Sequence, residues 1–300
     1  MPHEFVQAGA RDMKIAGHTM GMPKLDIFEA ISFCAEIGYD GIEVRCAENG
    51  QMHLEALTPD EIARIRDHAT EKGVQFACLT PYYRDFMTDA ATSATLDGIR
   101  LACGIARGLG CPTVRAIAGQ WPLEGHERTE VFARTVSGMK EAGLIAMDDG
   151  VRLACETHKG YLTWSAQEAV EFVTAVDMDS VGILWDHYWV HVRGEETLDE
   201  AVGMLTPWLL HVHAKNVKYD AEGNPHAVLL NEGELDWCLI INRLKTFGYE
   251  GYISDEYEKF WRPEEFPEPE VGMKANAELL RECIQQEPPK PSHDPAPQPL

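Results

Sequence analysis

Residues 151–186 read VRLACETHKGYLTWSAQEAVEFVTAVDMDSVGILWD. Two short β-rich runs, 151–157 and 181–186, enclose a helical stretch, and each run carries an acid near its carboxyl end, Glu156 and Asp186. A strand, a helix and a second strand within this length make the unit of a parallel sheet. The unit recurs in both directions. Further strand candidates are 13–19, 41–46, 74–80, 113–118, 209–216 and 251–257, separated by helical patterns such as DIFEAISFCAEIG, DEIARIRDHATEKG and DWCLIINRLKTFG. Thr58-Pro59-Asp60-Glu61 reads as an N-cap followed by proline at the first helical position. Gly38, Gly73 and Gly248 stand where left-handed helix ends belong.

Eight strand–helix units in series predict an α/β fold, a single closed (β/α)8 TIM barrel. An open doubly wound sheet is the alternative, but GHTMGMP after the first strand lacks the spacing of a glycine-rich phosphate turn. The barrel is expected over 13–287, after an N-terminal extension over 1–12. Residues 288–300, PPKPSHDPAPQPL, hold six prolines and almost no apolar side chains, and are expected to form a flexible tail.

The 300 residues carry 49 acidic and 26 basic side chains, a formal net charge of −23. That balance argues against nucleic acid or an anionic membrane as the main partner, because both need clustered Lys and Arg. There is no apolar signal segment at the N-terminus and no run of about 18 apolar residues, so a cytoplasmic protein is expected. Eight dispersed cysteines without a CxxC pair read as reduced, buried thiols.

In such a barrel, functional groups lie at the carboxyl ends of the strands. In the second half of the chain those positions hold Glu156, Asp186, His213 in LHVHAKNV and Glu256 in ISDEYE. Strand alternation places Ala154, Leu184, His211 and Ser254 one layer deeper on the same inward face. Three converging carboxylates repel one another unless a proton or a cation intervenes. Carboxylates plus an imidazole suit one divalent metal ion of hard to borderline character: Mn²⁺ first, then Mg²⁺ or Co²⁺. Each acid taken singly could instead be a helix cap; four such residues on successive strands favour the metal site.

The strings GYDGIEVR, RLACETHKGYLT, VGILWDHYW, LLHVHAKNV and GYEGYISDEYE resemble the xylose isomerase-like sugar phosphate isomerase/epimerase superfamily. The resemblance spans nearly all of 13–286. It implies one divalent metal on Glu156, Asp186, His213 and Glu256, with the second histidine of H-x-H selecting His213 over His211. It also implies a small carbohydrate substrate, and a homo-oligomer built through the outer helices, as is common in the group. Two positions depart from the usual pattern: Trp189 stands where many members have a histidine, between His187 and His191, and Asn216 stands where Asp often follows.

The chemistry implied is proton abstraction beside a carbonyl through an enediolate, with Glu156 and Glu256 as catalytic base and acid. Expected substrate contacts are His158, Lys215, Glu258, Glu43 and His187. For Glu43 a salt bridge to Arg45 or Arg115 competes, and for Glu258 a pairing with a nearby cation. The runner-up is a lyase or dehydratase acting on an inosose, a 3-keto sugar or its glycoside at the same site. An endonuclease IV-like enzyme and a non-catalytic sugar-binding protein rank below.

Overall fold

In the computed structural model, which describes residues 13–286, all eight expected strands pair in parallel and close into a barrel. In chain order, β1 (Lys14–His18) leads to α1 (Ile27–Ile37), β2 (Gly41–Arg45) to α2 (Pro59–Lys72), and β3 (Gln75–Thr80) to α3 (Asp89–Leu109). Then come β4 (Thr113–Ala116), α4 (Arg128–Asp149), β5 (Arg152–Glu156), α5 (Ala166–Val176) and β6 (Val181–Asp186), followed by α6 (His187–Arg193) and α7 (Leu198–Leu205). The chain continues through β7 (Leu209–Ala214), a β8 (Asn216–Tyr219)–β9 (Pro225–Val228) hairpin, α8 (Trp237–Thr246), β10 (Tyr252–Asp255) and α9 (Pro269–Gln285). β10 pairs with both β7 and β1, which closes the ring. The expected segments 1–12 and 288–300 lie outside the described residues.

Local chemistry fixes the helix ends. Thr58 accepts from the Glu61 amide while the Glu61 side chain returns a bond to Thr58, so two amides without helical partners are satisfied at once, with Pro59 just inside. Gly38, Gly73 and Gly248 all have positive φ, of 88°, 73° and 80°. Alternation along the strands sends Leu153, Cys155, Ile183, Trp185 and Ile253 into the layer beneath the helices, all fully buried. Gly17 has a packing reason: a Cβ there would stand 2.8 Å from the Tyr39 ring, which crosses to donate a 2.6 Å hydrogen bond to Asp255.

Two features depart from expectation. The 209–216 strand ends at Ala214, and Asn216 begins a separate antiparallel hairpin, with Asn216 opposite Val228. Its amide explains why: Nδ2 donates to the Leu230 and Leu235 carbonyls, while Oδ1 accepts from the Val217 and Leu235 amides. An aspartate could not supply those two donors. Nor are all the cysteines free thiols, since Cys238 on α8 and Cys283 on α9 are joined in a disulfide. The other six are buried and free. No described helix is long and apolar enough to cross a membrane.

Candidate active site

Glu156, Asp186, His213 and Glu256 converge where the sequence expects them, each offering a ligand atom within 4.8 Å of the others, and all four are buried. Strand register produces this: Asp186 on β6 is level with His213 on β7, and Glu256 follows directly on β10. His213 Nδ1 stands 3.4 Å from Glu156 Oε1 and 3.4 Å from Glu256 Oε2. Asp186 divides its two oxygens. Oδ1 caps α6 by accepting from the Tyr188 amide, and Oδ2 turns into the cluster. The helix-cap and ligand readings of this acid are therefore compatible.

Two cations serve the carboxylates. The Arg115 guanidinium, 8% exposed, donates to Glu156 Oε2 at 3.1 Å and to the Pro81 carbonyl at 2.8 Å, beneath the Tyr82 ring. Lys215 Nζ lies 3.0 Å from Asp186 Oδ2, 2.7 Å from Glu256 Oε2 and 3.2 Å from Glu258 Oε1. Burial alone would push the Glu156 carboxyl up, but Arg115 and His213 outweigh it and hold it down at about 2. Glu256 is likewise well below the usual range despite burial, because Lys215 and His213 face it. Asp186 goes the other way, to about 8: burial, reinforced by Glu256 and Glu156, exceeds the pull of Lys215. His213 is pushed well above an ordinary imidazole, since Glu43 and Glu256 overcome the cost of burying its charge.

These directions test the fit of a metal. Without one, four buried carboxylates (Glu43, Glu156, Asp186, Glu256) face two permanent cations, Arg115 and Lys215, so protons on His213 and Asp186 must complete the balance. One divalent cation would replace both protons. Asp186 Oδ2, His213 Nδ1 and Glu256 Oε2 are also buried without any partner in hydrogen-bonding orientation, although Lys215 is near two of them. The donor set and its unsatisfied atoms fit a divalent metal.

Around the cluster, His158 lies among Tyr161 and Trp189, with ring centroids 4.7 and 4.6 Å apart, and the charges of Glu156 and Lys215 act on it. Trp189 thus forms part of the wall beside His158. Glu258 pairs with both Lys215 and Arg262, so its cation-pairing role is present. Glu43 and His187, also expected as substrate contacts, have close protein neighbours. Glu43 is fully buried and bonds to His211 and His213 rather than to Arg45 or Arg115, because barrel closure sets β2 across from β7. His187, 5% exposed, packs its ring on Trp185 and His191, as a core residue does.

Arg115 was weighed in the sequence only as a partner for Glu43, and His211 only as the layer under His213 and as the histidine passed over for it in H-x-H. The signal for Arg115 is its position: it pairs in register with Ala154, an inward-facing site, so its charge is committed to the barrel interior.

The chain is 23% identical over 231 residues to the D-psicose 3-epimerase of Enterocloster bolteae, covering 72% of this chain and 71% of that protein. It is 25% identical over 252 residues to the inosose isomerase of Halalkalibacterium halodurans, covering 80% and 84%. Among solved structures, a probable 3-DHS dehydratase from Bacillus anthracis superposes with a TM-score of 0.75 at 20% identity, covering 90% of this chain and 99% of that one. The sequence pattern of the xylose isomerase-like TIM barrel matches residues 31–283, and the chain belongs to that family.

Proposed function

We propose that the protein is a divalent-metal-dependent sugar isomerase or 3-epimerase. The observation that carries this reading is the buried quartet of Glu156, Asp186, His213 and Glu256, with three of its ligand atoms unsatisfied. These four residues would hold the ion, Mn²⁺ by preference and Mg²⁺ or Co²⁺ otherwise. When bound, such an ion acts as a Lewis acid on a carbonyl and its neighbouring hydroxyl.

The chain's own residues supply the rest. Glu156 and Glu256 flank the same imidazole nitrogen from different strands and are the acid/base pair. One takes the proton from the carbon beside the carbonyl, and the C–H electron pair moves into the enediolate. The other, protonated for that turn, returns a proton: to the opposite face for epimerisation, or to the neighbouring carbon for isomerisation. Lys215, at 2.7 Å from Glu256, keeps a positive charge beside the developing oxyanion. His158, Tyr161 and Trp189 wall the pocket against water and orient the sugar.

Elimination is the second reading. The Lys215 ammonium is favourably set to protonate a departing hydroxide or alkoxide, which is what a dehydratase or lyase needs. One experiment separates the two: NMR in D₂O across ketoses, inososes and 3-keto glycosides, with Mn²⁺ added. Epimerisation or isomerisation places solvent deuterium next to the carbonyl with mass otherwise conserved, whereas elimination releases water or an aglycone. Glu156→Gln and Glu256→Gln should fold and be inactive. Full activity in either removes that residue from the acid/base role.

A further inference from the structure

Below the carboxylate cluster, deeper in the barrel, a fully buried carboxylate faces three imidazoles. Among the described residues, the ion-pair partners of Glu43 are all histidines. His211 Nε2 lies 2.8 Å from Oε2, His213 Nε2 lies 2.9 Å from Oε1, and His18 Nε2 lies 3.8 Å from Oε1. All four side chains are at least nine-tenths buried.

Donor and acceptor accounting assigns the protons. A carboxylate only accepts, so His211 and His213 must each present Nε2–H to it. His18 is fixed separately: its Nδ1 accepts from the Met20 amide at 3.0 Å, which leaves its proton on Nε2, toward Glu43 and Thr80. A neutral His213 with hydrogen on Nε2 carries its lone pair on Nδ1. That atom lies 3.4 Å from carboxylates of both Glu156 and Glu256, and it has no hydrogen-bond partner although wholly buried. A lone pair held between two carboxylates is repulsive unless a proton or a cation sits among them, and a divalent ion that takes this place displaces the proton.

We infer that Glu43 is a positioning residue, which locks His213 in its Nε2–H form and turns Nδ1 toward Glu156 and Glu256 as the ligand nitrogen. This rests on the metal-site reading above and adds to it the atom of ligation and the residue that selects it. A carboxylate behind a ligand imidazole also makes the ring a stronger donor. Glutamine cannot replace Glu43 in this role, because an amide offers one accepting oxygen and one donating nitrogen. Facing two Nε2–H groups, it forces one ring to change tautomer or turn.

The test uses the full chain with ¹⁵N-labelled histidine and two probes, Mn²⁺ for affinity and Zn²⁺ as a diamagnetic ion for NMR. In the wild type, the His213 ring signals, assigned by their loss in His213→Gln, should show Nε2 protonated with and without Zn²⁺, and Nδ1 shifted on its addition. Glu43→Gln should weaken Mn²⁺ binding, read from the free-ion EPR signal, by about 10- to 100-fold. His211→Gln, which keeps an N–H for Oε2, should stay within about threefold of wild type. Zn²⁺ shifting Nε2 instead of Nδ1, or Glu43→Gln binding Mn²⁺ as tightly as wild type, overturns the inference and leaves the metal site standing. A wild type that binds neither ion overturns both. Should Glu43→Gln not fold, the wild-type spectra decide alone.

Discussion

Replacing Arg115 with methionine removes the one guanidinium that donates to Glu156 and leaves that carboxylate, 1% exposed, to His213 alone. Holding Glu156 near 2 instead of its ordinary 4.5 corresponds to about 3 kcal/mol in favour of the ionised carboxylate. Breaking a buried pair by deleting one partner costs about 3–5 kcal/mol, since the survivor is desolvated without compensation. The two figures agree, so Arg115→Met should destabilise the metal-free protein by about 3–4 kcal/mol at neutral pH. The sign with pH follows from a depressed carboxyl. Its contribution is present above about pH 4.5 and is lost as pH falls toward 2, so the variant's deficit shrinks in acid. The assay is urea unfolding in EDTA, followed by tryptophan fluorescence, for Arg115→Met, Glu156→Gln and the double variant. Because both substitutions remove the same pair, the double variant should cost less than the two singles together, by roughly 1–3 kcal/mol. Additive singles, or an Arg115→Met deficit below about 1 kcal/mol at pH 7, would refute the argument that the guanidinium supports a buried carboxylate.

Other outcomes follow from the same charges. Metal binding at neutral pH should release about two protons, from His213 and Asp186, measurable by titration calorimetry in buffers of different ionisation enthalpy; affinity should rise with pH through the ionisation of Asp186 near 8 and until His213 has also lost its proton. Asp255 is pushed up to about 7 by burial, even though Tyr39 and Asn276 donate to it. Its stabilising contribution is complete below about pH 4 and lost as pH rises through 7. Asp255→Asn should therefore gain up to about 4 kcal/mol relative to wild type between pH 4 and pH 8 in unfolding experiments, and an unchanged difference contradicts it. Chelation with EDTA should abolish turnover of any substrate found in the D₂O screen, and added Mn²⁺ should restore it.

What the sequence disclosed follows the range over which each signal acts. Alternation within a strand and caps within a helix turn are local, so the barrel strands and the ends at Thr58, Gly38 and Gly73 were legible. The convergence of Glu156, Asp186, His213 and Glu256 was legible because barrel position converts strand-end acids into neighbours. The histidine partners of Glu43 were not legible, because they lie 168 and 170 residues away, across the barrel, where no spacing rule reaches. Arg115 and Glu156 sit on adjacent strands, yet which acid the arginine chose depended on depth in the barrel, which register alone decides. The Asn216 hairpin and the Cys238–Cys283 bridge likewise depend on contacts 14 to 45 residues apart that only the closed fold brings together.

The most direct test of the central claim is the metal content of purified protein after saturation with Mn²⁺ and desalting. The wild type is predicted to retain one ion per chain and His213→Ala to retain almost none, both melting as folded proteins. Equal metal content in the two, or none in the wild type, would contradict the assignment of Glu156, Asp186, His213 and Glu256 as the site.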